Sequence, residues 1–284
     1  MKSLVGKMNN ITILDACTII NILHIDDEDD FLFKQLRDMQ IFLPQIVMEE
    51  VYKNRRKEKV DESKEHQIDK NIGILNSNIY EVDKTSNDEI ITRVKDFAKH
   101  IKKENGELYA TALALKLSRD LNNRVFFYTD DYPARQEFED FFEYQQIGYI
   151  QDSVDLLVYL FRLKTSDFFP KKKLQNYLSL LSIEYSKEQK KIVDIAEAYK
   201  QKFDSVQNRR KDRALFSAID GIIDGFYTGK NSYEEGVRFF RNNKGKISAI
   251  DKVLQVMVEN EFPKIPAKVK ITLTRMNNCD IIQI

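Results

Sequence analysis

Ile11-Thr12-Ile13-Leu14-Asp15-Ala16-Cys17-Thr18-Ile19-Ile20-Asn21-Ile22-Leu23 is the stretch on which the fold turns. A run such as Ile11 to Leu14 reads as a short strand buried on both faces, and such strands belong to parallel sheets covered by helices. The run stops at a carboxylate, Asp15. In open α/β sheets ligands sit beyond the carboxyl ends of the strands. Asp15 is therefore either a hydrogen-bonded strand terminator or the first ligand of a site, and the choice depends on which other acids reach the same edge. Thr18 to Leu23 predicts the start of a helix.

Outward from there, the acidic run Asp26-Asp27-Glu28-Asp29-Asp30 reads as a solvated loop or helix N-terminus with no ligand role. Ile41-Phe42-Leu43 predicts a second strand stopped by Pro44, and the helix that follows carries Glu50 near the sheet edge. Residues 52–70 are dense in charge, which predicts an exposed helix or arm whose Arg55 and Arg56 suit phosphate contacts. A third strand is expected at 79–82. Ser86-Asn87-Asp88-Glu89 matches a capping box opening a helix over 90–103. The next helix begins at Glu107, with Ala110, Ala112 and Ala114 allowing close approach to the sheet and Thr111 on the face of Glu107. Val125-Phe126-Phe127-Tyr128 is a strand running into Thr129-Asp130-Asp131. A helix over 133–144 carries Arg135, and 147–150 supplies a fifth strand.

Short buried strands alternating with helices predict an α/β three-layer domain with a short parallel central sheet over residues 1–150. Residues 151–284 predict a mainly α-helical accessory domain. Its amphipathic helices are expected at 153–163, 171–183, 187–203, 211–225, 233–242 and 247–259, with a lone strand at 269–273. Ser186 with Gln189 and Ser232 with Glu235 match capping boxes.

The length of 284 residues accommodates two cores. Formal charge is zero overall, yet residues 1–150 hold 21 Lys plus Arg against 28 Asp plus Glu, and residues 151–284 hold 24 against 17. Such asymmetry suits a polyanion held by one part and processed by another. The two cysteines, Cys17 and Cys279, show neither metal-ligand nor redox spacing, which predicts a reducing, cytoplasmic setting. No apolar stretch approaches the roughly 18 residues of a membrane span, and no signal peptide opens the chain, so no membrane partner is expected. His24, His66 and His100 are not spaced as a metal set.

Asp15, Glu50, Glu107 and the pair Asp130/Asp131 fall at a strand end, on an early helix, on a helix N-terminus and at another strand end, places that can converge on one edge of a parallel sheet. Converged carboxylates repel and lose hydration, so they take up protons or bind a cation. An all-oxygen set without His or Cys suits Mg²⁺ or Mn²⁺ rather than zinc. Arg135 and Lys116 are further candidates for phosphate contact, as are Lys171-Lys172-Lys173 and Arg209-Arg210 in the helical half.

These motifs, in this order, resemble the PIN-domain nucleases. Leu14-Asp15-Ala16-Cys17-Thr18 resembles the family's first motif, with Ala16 and Cys17 where many members carry Thr or Ser and another polar residue. Pro44-Gln45-Ile46-Val47-Met48-Glu49-Glu50 resembles the second, Gly106-Glu107-Leu108-Tyr109-Ala110 the third and Thr129-Asp130-Asp131 the last. The likeness covers about residues 10–150; residues 151–284 match no family. It implies a metal-dependent endoribonuclease with catalytic Asp15, Glu50, Glu107 and Asp131. Asp15, Glu107 and Asp131, with Asp130 beside them, would hold one or two Mg²⁺ or Mn²⁺, and Glu50 would orient a water. It further implies a toxin or phage-defence effector acting on tRNA or another structured RNA, while the helical half is expected to select substrate, form a homodimer or receive a protein inhibitor or regulator. A second reading is a catalytically weak PIN module that binds RNA or protein as a scaffold. A third, an acidic-edge phosphotransfer domain or phosphatase, requires a nucleophilic Asp with a nearby Lys at a strand end, where this chain has Thr129-Asp130-Asp131.

Overall fold

A computed structural model of the chain describes residues 9–55, 61–80, 84–98, 105–119, 123–163, 170–204, 213–228, 235–236, 238–239 and 264–277. The chain divides into two compact units, Met1–Leu180 and Leu181–Ile284. The first unit thus runs past the boundary expected near residue 150.

Four parallel strands form the centre of the first unit in the order β2-β1-β3-β4, with β1 at Asn9–Leu14, β2 at Gln40–Phe42, β3 at Asn123–Tyr128 and β4 at Gly148–Gln151. The strand expected at 79–82 is represented by one parallel bridge, Leu43 to Ile79, with Tyr80 N–H donating to Leu43 O at 2.9 Å. Residues 81 and 82 lie outside the described residues. Gly148 has φ +149, and a Cβ there would stand 1.9 Å from Val125 O. No side chain fits where β4 comes up against β3.

The two faces of β1 and β3 follow the strand period of two. Ile11, Ile13, Val125 and Phe127 share one core with Leu108, Ala112, Leu115, Phe138, Phe141 and Phe142. Those residues come from α6 (Gly106–Ser118) and α7 (Tyr132–Gln145), and Val94 joins them from α5 (Lys84–Phe97). The other face carries Phe126, whose ring stacks on Tyr159 of α8 (Ser153–Leu163) at 5.6 Å. α8 also touches α1 (Ala16–Ile25). The result is helix, sheet, helix, as an α/β layer architecture requires.

Helix α5 starts at Lys84, so Ser86 and Asn87 lie within it rather than before it. The expected capping box is corrected: Ser and Asn only bias a helix start, and propagation overrides that bias.

The acidic run stands at a helix N-terminus, one of its two expected readings, and not in a solvated loop: it joins α1 to α2 (Phe31–Arg37), a helix not foreseen from sequence, with Asp26 and Asp30 buried. Asp26 accepts the amides of Asp27 and Leu32 on Oδ1 and of Phe33 on Oδ2, closing the start of α2. Asp30, at φ 56, accepts from Gln67, Lys70 and Asn71 of α4 (Glu62–Leu75). Asp27 accepts from Tyr177 Oη and Lys173 Nζ, both at 2.8 Å, while Phe31 stacks on Tyr177. These contacts bind the start of α9 (Lys171–Asp204) to the α/β layers.

Helix α9 is continuous across the break expected at 184–186. Ser186 does not cap; its hydroxyl donates to Ser182 O at 2.8 Å, one turn back. The second unit continues with α10 (Arg213–Thr228) and α11 (Lys264–Asn277). The strand expected at 269–273 is part of α11, where Ile265, Val269 and Met276 are buried at helical spacing. The helix expected at 247–259, and Ser232 of its predecessor's capping box, lie outside the described residues. No described helix is long and apolar enough to cross a membrane.

Candidate active site at the carboxyl edge of the sheet

Strand β1 continues its pairing one residue past its end, where Asp15 N–H donates to Tyr128 O at 2.9 Å. Asp15 then turns into α1 without using its side chain as a cap. Oδ2 accepts from Cys17 Sγ at 2.8 Å and from Thr129 Oγ1 at 3.1 Å. Oδ1 is buried with no hydrogen-bond partner among the described residues, on a side chain whose residue is 3% exposed. Burial raises the Asp15 carboxyl above its ordinary pKa, the donors at Cys17, Ala16 and Thr129 oppose this, and the charge of Asp131 adds to it.

Glu50 arrives from α3 (Gln45–Asn54), which follows Pro44. Its Oε1 accepts the amide of Gly106 at 3.1 Å. A Cβ on Gly106 would stand 2.6 Å from Glu50 Oε2 and 3.3 Å from Asp15 Oδ1. The two acids therefore flank one point at the start of α6. Asn105 caps that helix by accepting from Leu108 N at 3.2 Å, which leaves Glu107 in its first turn. Burial, then the charge of Asp15, followed by those of Asp131 and Glu50, push Glu107 up to about 8. Glu50 is raised as well, by burial first and by Asp15 second.

Past β3, Thr129 receives the amide of Asp131 on Oγ1 at 3.1 Å, and Asp131 Oδ1 caps α7 through Ala134 N at 2.9 Å. Asp130 is a different matter. Its Oδ2 accepts from Asn21 at 2.9 Å and Ser153 Oγ at 2.6 Å, and its Oδ1 accepts Ser153 N at 2.8 Å. Both oxygens of the expected ligand Asp130 are thus engaged, and its carboxylate fastens α1 and α8 to the strand end. Cys17 Sγ receives the amide of Asp130 at 3.3 Å, and burial with the charges of Asp15 and Asp130 pushes its thiol well up.

The expected phosphate contacts separate by position. Arg135 forms an ion pair with the buried Asp152 at 2.6 Å and lies over the Tyr132 ring, so it holds α7 to the start of α8. Lys116 lies nine residues along α6 from Glu107, about 13 Å by helical rise, with its ammonium over Tyr80. Arg55 pairs with Asp69 at 2.8 Å. Lys173 is the partner of Asp27 described above. Arg56, Arg209 and Arg210 lie outside the described residues.

Four acids, Asp15, Glu50, Glu107 and Asp131, are thus coupled by charge. Among the described residues no group of three or more His, Cys, Asp or Glu side chains is arranged to hold a metal ion. The donor set nevertheless fits a hard divalent cation, because it is all oxygen and includes the unpartnered buried Asp15 Oδ1. Sequence reasoning missed Cys17 as a donor, the closeness of Gly106 and the Asn21–Asp130–Ser153 clasp. Asn21 carried a signal: a polar residue within Ile19-Ile20-Asn21-Ile22-Leu23 needs a buried partner.

No family, curated protein or solved structure was found to match the chain.

Proposed function

We propose that the chain is a Mg²⁺- or Mn²⁺-dependent endoribonuclease whose site is the acid cluster at Asp15. The observation that carries the reading is Asp15 Oδ1, a carboxylate oxygen in the interior without a hydrogen-bond partner among the described residues, beside two further raised carboxyls. An uncompensated buried anion is costly, and a cation offsets it. The order of the four motifs, which resembles that of PIN nucleases, supplies the reaction class.

In this reading Asp15 would offer Oδ1 to the metal while Oδ2 stays with Cys17 and Thr129. Glu107 and Asp131 would supply the other ligands. Glu50, held through Oε1 by the Gly106 amide, would orient the attacking water and take its proton as the water oxygen bonds to phosphorus and the P–O bond to the ribose oxygen breaks, that oxygen taking its proton from solvent. A bound divalent ion supplies a lowered water pKa and offsets charge on the phosphate. RNA is the proposed substrate, with tRNA or another structured RNA the favoured class, and the positive balance of residues 151–284 supports a backbone-holding role for that half. A toxin or defence setting, with a dimer and an inhibitor, belongs to the same proposal.

The test is digestion of total cellular RNA by wild-type and Asp15→Asn protein in Mg²⁺ or Mn²⁺, with fragment ends mapped. Discrete new ends from the wild-type protein alone are expected. Indistinguishable digests would overturn the catalytic reading and leave the scaffold reading standing.

A further inference from the structure

We infer that Cys17 is a positioning residue for the acid site: its S–H, together with the Thr129 hydroxyl, immobilises Asp15 Oδ2 and reserves Oδ1 for the cation. The inference rests on the metal-site reading above and names a part of it that the residue types do not announce.

The geometry is a small closed network. Cys17 Sγ donates to Asp15 Oδ2 at 2.8 Å and Thr129 Oγ1 donates to the same oxygen at 3.1 Å. Each donor is itself fixed by the strand end that follows β3. The Asp130 amide donates to Sγ at 3.3 Å, and the Asp131 amide donates to Thr129 Oγ1 at 3.1 Å. Two consecutive backbone amides therefore set the positions of two side chains, which in turn set one carboxylate oxygen. The other oxygen, Oδ1, is buried with no partner among the described residues, and it lies 3.3 Å from the point above Gly106 that Glu50 also borders.

A carboxylate rotates about its Cβ–Cγ bond, and each oxygen accepts up to two donors. With Oδ2 already holding two, rotation would break both bonds. Partners of this kind orient a metal ligand, and their removal costs about 10–100-fold in metal affinity or activity. Sulfur is a weaker donor than oxygen, and the 2.8 Å separation from Asp15 Oδ2 is one that a hydroxyl also makes. Serine at the same place keeps the hydrogen to donate; alanine does not.

The experiment measures Mn²⁺ affinity of the full chain from the free-ion electron paramagnetic resonance signal, for wild type, Cys17→Ser, Cys17→Ala, Cys17→Val and Asp15→Asn. Cys17→Ala and Cys17→Val are expected to weaken Mn²⁺ binding about 10–100-fold, with Cys17→Ser close to wild type. Cys17→Val fills the thiol's volume without a donor and carries the test if the alanine variant does not fold. Wild-type affinity in a folded Cys17→Ala or Cys17→Val protein would overturn the inference, as would a serine variant that binds no better than alanine. Mn²⁺ binding by wild type without RNA cleavage would sink the ribonuclease reading alone, and the cysteine series would still decide the role of Cys17. Absence of Mn²⁺ binding by wild type would overturn both.

Discussion

Gly106 donates its amide to Glu50 Oε1 at 3.1 Å, and a methyl in place of its hydrogen would stand 2.6 Å from Glu50 Oε2. The backbone of α6 comes this close to an acid of α3 because nothing projects from it. The colliding atom is the end of a flexible side chain, so Gly106→Ala is expected to fold, with stability changed by no more than about 1 kcal/mol, since alanine also favours the helix. Glu50 must swing away, and RNA cleavage is expected to fall about 10–100-fold by loss of a positioned base. Urea unfolding and initial cleavage rates check the pair of outcomes; unchanged cleavage would show that Glu50 has no part in the reaction.

Stability should depend on pH with a sign set by Glu107. Its carboxyl is raised from an ordinary 4.5 to about 8 by burial and by Asp15. Between those values the native protein keeps a proton that the unfolded chain has released, so stability falls as pH rises through the window. The raised carboxyls of Asp15 and Glu50 act in the same direction. Thermal unfolding without divalent metal is expected to give a midpoint that drops from pH 5 to pH 8, with a shallower drop for Glu107→Gln. Added Mn²⁺ should oppose the drop, because a cation replaces the proton. A midpoint that rises over this range would contradict the coupling of these acids.

Asp130 and Asp131 are expected to separate on substitution. Asp130→Ala removes the bonds to Asn21 and Ser153 that hold α1 and α8, and hydrogen bonds to a charged group contribute about 1.5–3 kcal/mol each. Loss of at least that much in chemical denaturation is the expected result. Asp131→Asn should instead lower Mn²⁺ affinity while the protein stays folded. Retained stability in Asp130→Ala would refute the fastening role.

Arg135 gives the sharpest contrast between an ionic strut and an RNA contact. It is the cation paired with the fully buried Asp152 at 2.6 Å. Arg135→Met withdraws that cation from the interior carboxylate, at an expected cost of about 3–5 kcal/mol. A phosphate contact would behave differently, leaving the fold intact and reducing the salt dependence of RNA binding by about one unit of slope. Denaturation and salt-titrated RNA binding on the same variant distinguish the two.

Much of the first unit was legible because its signals are local and repeat along the chain. Ile11 to Leu14 and Val125 to Tyr128 are apolar runs of strand length, each ending at an acid, and both are strands of one parallel sheet. Glu107 at a helix start and Ala110, Ala112 and Ala114 along that helix are equally local features. Their order along the chain places Asp15, Glu107 and Asp131 at one edge, because parallel strands share a carboxyl end.

The sequence by itself determined the four strands of the parallel sheet and which acids stand at their carboxyl edge, though not the fate of 269–273, read as a strand and folded as helix. What only the tertiary structure decided is how each polar group is used once it arrives. Asp130 and Asp131 are neighbours of the same type, yet one clasps Asn21 and Ser153 while the other caps α7. Arg135 and Lys173 read as exposed cations, yet each meets a carboxylate from another element. The physical reason is range. Strand and helix preferences are set within a few residues, whereas the partner of a buried charge or donor is fixed by packing between segments far apart in the chain.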